Sequence, residues 1–112
     1  MGKYILVDGL DWKIIGSFNK VYSKILIDRT DCDAFGLSIQ KVGYEGEVPK
    51  HSHKEKSLYY FLEGSGQVYL GEETIEIQPG LVVYISSNEI HGLENTGTEI
   101  LKYIEIKSPN TL

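Results

Sequence analysis

The sequence predicts an all-β fold, an antiparallel sandwich or barrel of the jelly-roll kind. Three observations carry that expectation. Short runs rich in β-branched and aromatic residues recur at regular spacing along the 112 residues. Gly, Asn, Pro and Ser punctuate them, and no segment sustains a helical period. The candidate strands, in order, are Tyr4 to Val7, Val21 to Asp28, Phe35 to Val42, Ser57 to Glu63, Gln67 to Leu70, Thr74 to Ile77, Leu81 to Ile85 and Glu99 to Lys107. Ile75 and Ile77 alternate with Thr74, Glu76 and Gln78, a period of two that sets one face on a core. Gly64 and Gly66 bracket Ser65, as a tight hairpin between flanking strands would require. Gly71 with Glu72 and Glu73 makes the next turn, and Pro79-Gly80 the one after.

Length and composition fit a single domain over residues 1–112. With 41% hydrophobic residues the chain can support its own core. Cys32 is the sole cysteine, so no internal disulfide forms, which fits a reducing cytoplasm. The opening MGKYILVDGLDW lacks the apolar region of a signal peptide, and no run is long enough to cross a bilayer. Net charge is -5 and the 11 basic residues are scattered, so no basic face is offered to nucleic acid. A soluble, acidic globule without nucleic-acid or membrane partners is the expectation.

The chemistry lies in three histidines. His51 and His53 stand two apart, so on extended backbone both imidazoles face the same way. That brings two nitrogens to one ion about 2 Å from each. His91 follows some forty residues later, after another strand run.

The segment HSHKEKSLYYFLEGSGQVYL, residues 51 to 70, resembles the first motif of the cupin superfamily, in which a His-x-His pair precedes a glutamate and then a glycine. His51, His53 and Gly64 fall at the motif's spacing. Residues 80 to 95 resemble the second motif through Gly80, His91 and Asn95. Ser86 stands where that motif has proline and Asn88 where it has glycine; Asn tolerates positive φ, so the turn chemistry is kept. The motif's leading glycine is offset, with Gly43 and Gly46 as candidates, and Ser57 occupies the place of its glutamate ligand. The resemblance covers roughly residues 35 to 107. It implies an antiparallel double-sheet jelly-roll β-barrel holding one divalent ion (Fe, Mn, Ni or Zn) on His51, His53 and His91.

A serine hydroxyl is a poor ligand, so the implied first shell is three neutral imidazoles with open positions. Such a site keeps the full charge of the ion and favours anionic or chelating substrates. Glu55 shares parity with His51 and His53 and is the alternative source of a carboxylate. Ser57, Tyr59 and Phe61 share a parity that would line the barrel. Tyr84 is a candidate proton donor. Glu105 is a candidate acid or base, because the tail slightly resembles uronate-ketonising cupins that carry an acid residue before a Ser-Pro, as Glu105 precedes Ser108-Pro109. The arginine that follows in that group is Asn110 here. The resemblance therefore implies a small-molecule metalloenzyme, with three-histidine dioxygenase chemistry and Lewis-acid isomerase or lyase chemistry both open. A ligand-binding or sensing cupin without catalysis is the alternative. Small cupins commonly dimerise, and the apolar run Lys3 to Val7 would leave an uncovered edge, so a homodimer through it is expected.

Overall fold

The computed structural model describes all 112 residues. After a 3-10 turn at Val7–Gly9, nine strands follow: β1 (Lys13–Ile14), β2 (Asn19–Ile27), β3 (Gly36–His51), β4 (Lys56–Glu63), β5 (Gly66–Leu70), β6 (Glu73–Ile77), β7 (Val82–Ile85), β8 (His91–Glu94) and β9 (Leu101–Ser108). Every pairing is antiparallel, in the order β6-β5-β8-β3-β9-β4-β7, with β2 on the free side of β3 and β1 on β2.

One strand makes two sheets out of this path. The first half of β3, Gly36 to Val42, pairs with β2 and β9, whereas Glu47 to His51 pair with β8. The corner lies between, where Glu45 has φ of 62°. A Cβ on Gly46 would come within 2.8 Å of the Asn19 carbonyl oxygen, so only glycine fits that crossing. Asn95 latches the corner, its amide nitrogen donating to the carbonyls of Val42 (3.0 Å), Gly43 (3.1 Å) and Glu99 (2.9 Å).

The core sits between the sheets and comprises Val21, Val42, Val48, Tyr59, Phe61, Val68, Ile77, Val83, Ile85, Leu93, Leu101 and Tyr103. At about 25 cal/mol per Å² of apolar surface, each large member contributes roughly 2–3 kcal/mol by burial. Ile77 faces this core, as the period of two predicts, and Gly71–Glu72 joins β5 to β6 in a two-residue hairpin with Gly71 at φ +59°.

Three expectations are corrected. Residues Lys3 to Val7 form no strand; Tyr4 and Leu6 are exposed, and Asp8 and Gly9 close a single 3-10 turn instead. Gly64 to Gly66 is not a hairpin. β4 pairs with β7 and β9 while β5 pairs with β6 and β8, so the link crosses between sheets. Finally, β3 runs nine residues past Val42, and β8 at His91–Glu94 has no counterpart among the expected strands. No helix is long and apolar enough to cross a membrane.

Candidate metal centre

His51 closes β3, His53 lies in the link to β4, and His91 opens β8 across the ladder from His51. Only one member of the His-x-His pair is therefore on a strand. Asn88, at φ 64°, turns the chain ahead of β8, and its N–H donates to the His53 carbonyl at 2.7 Å. That bond ties the two histidine-bearing loops to each other.

Each ring points Nδ1 at a backbone carbonyl: His51 at Pro49 (2.8 Å), His53 at Glu55 (2.9 Å) and His91 at Glu89 (2.8 Å). A carbonyl oxygen only accepts, so each Nδ1 is the N–H donor and Nε2 is the nitrogen left to face a metal. The three residues place one ligand atom each within 4.8 Å of the others, and the ring centroids lie 4.4, 4.7 and 5.4 Å apart. His91 Nε2 is buried without any hydrogen-bond partner. A buried polar nitrogen left unpaired costs about 1–3 kcal/mol unless something accepts its lone pair. Burial, joined by His51, His53 and Lys107, holds this imidazole down to about 4, against the Glu89 carbonyl, which raises it. Three neutral imidazoles with fixed tautomers and converging lone pairs fit a borderline divalent ion.

The other candidates separate. Glu55 stands on the Nδ1 side of His53, its Oε2 3.6 Å from that nitrogen, so it buttresses the ring and is not placed to be a fourth ligand. Ser57 is buried and its hydroxyl donates to Glu105 Oε2 at 3.4 Å. Tyr59, beside the histidines, lines a cavity of about 560 Å³, whereas Ser57 is not among its lining residues and Phe61 is core. Tyr84 is corrected outright: it is 53% exposed, because along β7 Val83 and Ile85 take the inward positions and Tyr84 the outward one.

Glu105 faces inward on β9, between β3 and β4, and lines the cavity together with His51 and His53. Gln40 donates to its Oε1 at 3.4 Å and to Ser38 at 3.1 Å. Burial pushes this carboxyl above its ordinary range, opposed by Lys107, the Ser57 hydroxyl, and His53 and His51. The Tyr59 and Tyr103 rings lie 4.8 Å apart, tilted at 49°, and both residues line the cavity. Burial first, then Glu105, holds both phenols well above their usual range, so they remain donors.

Sequence reasoning missed Gln40, Lys107 and the wall from Leu10 to Phe18. The signal for Gln40 was present but inverted. In LSIQKV the apolar Leu37 and Ile39 face outward and the polar Ser38 and Gln40 face the interior.

A two-sheet barrel with three histidines converging between its sheets defines a class of metal-site proteins. The chain belongs to the cupin family, residues 38–107 matching the family model for the cupin domain. It is 36% identical over 67 residues to an uncharacterized protein, MJ1618, of Methanocaldococcus jannaschii, covering 60% of this chain and 53% of that one. It is 33% identical over 60 residues to an oxalate-binding protein of Thermotoga maritima, covering 53% of this chain and 50% of that one. The match thus spans about half the length of each relative. Among solved structures, the polyketide cyclase RemF from Streptomyces resistomycificus superposes with a TM-score of 0.87 at 24% identity, covering 100% of this chain and 87% of that one, a likeness of fold.

Proposed function

We propose that the chain is a mononuclear metal-dependent enzyme that moves a proton beside a carbonyl of a small, chelating, anionic metabolite, a reaction of isomerase or lyase type. The observation that supports this reading is the placement of Glu105 in one cavity with His51 and His53. When bound, a divalent ion on three neutral imidazoles supplies Lewis acidity with its charge undiminished by anionic ligands. Glu105 is anchored through both oxygens by Ser57 and Gln40, and a carboxyl raised by burial holds its proton closer to neutral pH, as acid–base work requires. Tyr59 and Tyr103 line the same cavity and can donate toward oxygens of a bound molecule, and Lys107 adds a cation for its negative charge. Dioxygenase chemistry is the other type open to three histidines, and it would show as oxygen uptake without proton exchange. The oxalate-binding relative supports a chelating anion as ligand.

The test loads metal-free protein with zinc or manganese and follows deuterium entry at carbon beside the carbonyl in a panel of small keto and hydroxy acids. Exchange that vanishes in Glu105→Gln while metal affinity stays, together with an affinity loss of about 100-fold in His51→Ala, is expected. Ligand binding with no exchange for any panel member would replace this reading with a sensing or binding role.

We also propose a homodimer. Its support is the exposure of Tyr4 (98%) and Leu6 (86%), beside an outer sheet face where Leu37, Ile106, Leu58 and Tyr84 stand in register across four strands. Sedimentation as a single chain at tens of micromolar would refute it.

A further inference from the structure

The family-matched stretch supplies the histidines and Glu105, but the rest of the cavity wall comes from elsewhere. Leu10, Ile14, Ile15, Phe18, Ile25 and Leu112 all line the cavity and all lie outside residues 38–107. Leu10 precedes β1, Ile14 lies on β1, Ile15 and Phe18 lie in the link to β2, Ile25 lies on β2 and Leu112 ends the chain, and together they form an apolar lobe. Phe18 joins this lobe to the metal centre, its ring centroid 5.6 Å from that of His51.

Four polar residues also line this part of the wall: Asp11 and Lys13 are exposed, whereas Ser23 and Lys24 are buried. Lys24 Nζ donates to the Val7 carbonyl at 3.0 Å and sits 4.7 Å from the centre of the Trp12 ring. Gln40 spends its amide N–H groups on Ser38 and Glu105. A polyhydroxylated ligand would find no partners along Ile14, Ile15, Phe18 and Ile25, and any hydroxyl buried against them would be left unpaired. An apolar body would gain affinity with each methylene buried there. The volume also speaks for a body, since about 560 Å³ lies in the range of sites that enclose drug-sized ligands and far exceeds what a two-carbon dianion fills.

We infer that the cavity takes an amphiphilic molecule, a chelating oxygen pair at the histidines carrying an apolar ring or branched chain that packs on Ile14, Ile15, Phe18 and Ile25. This rests on the metal-enzyme reading and names its substrate class: a chelator with an apolar body rather than a bare small dianion.

The test holds the chelating head constant and varies the body. Tropolone and 4-isopropyltropolone are titrated calorimetrically into the zinc-loaded protein, and each affinity is divided by that for free zinc. The expected result is that the isopropyl compound binds about tenfold tighter, a part of what three fully buried carbons would give. Ile14→Ser and Ile25→Ser should bring that ratio close to one. Both side chains are largely exposed in the open wall, so neither change threatens folding. Equal binding of the two tropolones to the wild type would overturn the lobe and leave the metal centre standing. A preference that survives in both variants would overturn the assignment to these residues. Failure of both tropolones to bind a protein that retains its zinc would overturn the open metal site itself, and this inference with it.

Discussion

The two halves of the barrel interior are built from the same strands but do opposite work. Along β9 the inward residues run Leu101, Tyr103, Glu105 and Lys107; along β4 they run Phe61, Tyr59 and Ser57; along the first half of β3 they run Val42, Gln40 and Ser38. Registered across the sheet, these make layers. Val42 faces Leu101 in an apolar layer, Gln40 and Phe61 flank Tyr103, and Ser38 and Tyr59 flank Glu105. Polarity therefore rises within about four residues, from packed valine and leucine to a carboxyl braced by hydroxyl and amide. The apolar half needs no ligand to be stable, whereas the polar half contains an unpaired imidazole nitrogen and a buried carboxyl. One half keeps the barrel closed so that the other can hold groups that destabilise it.

The largest effect that sharpens this contrast is at Phe61, which is fully buried in the apolar half. Phe61→Ala should lower stability by about 3–5 kcal/mol through lost burial and the cavity left behind. Denaturant unfolding measures it, and a loss under about 1 kcal/mol would mean that the apolar half is not what carries the fold.

A smaller effect comes from His91 in the metal-free protein. Its folded pKa is lowered to about 4 from an ordinary 6.5. Between those values the unfolded chain binds a proton that the folded chain does not, so stability falls as pH is lowered through the window and is full above it. Glu105 acts with the opposite sign, so the His91 part is read as a difference. Stability curves of wild type and His91→Asn from pH 4 to 7 should diverge on this account. Parallel curves would place His91 in a wetter setting than the buried end of β8.

The smallest effect is on stability at Glu105. Burial raises its folded pKa, so the stability linked to this group is present at low pH and lost as pH rises through the folded value. Glu105→Gln removes that loss, and at pH 8 the variant should equal or exceed the wild type in stability. A variant markedly less stable at pH 8, measured by urea unfolding, would mean that the charged carboxylate is well solvated and the polar half is open to water.

How much of this is readable from residues alone varies by position. His51, His53 and His91 are found through the family motifs; strand parity alone would not have sufficed, because His53 lies in the link after β3 and not on a strand. Asn88 is found because positive φ restricts the choice of residue, and the turn it makes is the one expected. β8 is hidden because His-Gly-Leu-Glu has little strand propensity; its strand character comes from pairing with β3 and β5, which sequence-local preference does not contain. Tyr84 is misplaced because tyrosine favours strands on either face, and only the burial of Val83 and Ile85 settles which face it takes. The amino-terminal run is misplaced because apolar residues without an available partner edge do not become a strand.

The sequence by itself determined the class of fold, the three imidazoles and the lack of an anionic ligand at Ser57, all of which follow from residue type, local spacing and family motif. Only the tertiary structure decided that Glu105 is buried inside, that Tyr84 is outside, and that residues 10 to 25 wall the cavity. The physical reason is that a period of two marks the two faces of a strand without naming the inner one. In an ordinary sheet hydrophobicity names it, but in the polar half of this barrel Ser38, Gln40 and Glu105 face in while Leu37, Ile39 and Ile106 face out. There the face is chosen by how β3 turns its corner at Glu45 and Gly46 and by what the second sheet brings against it, which are contacts between residues far apart in the chain.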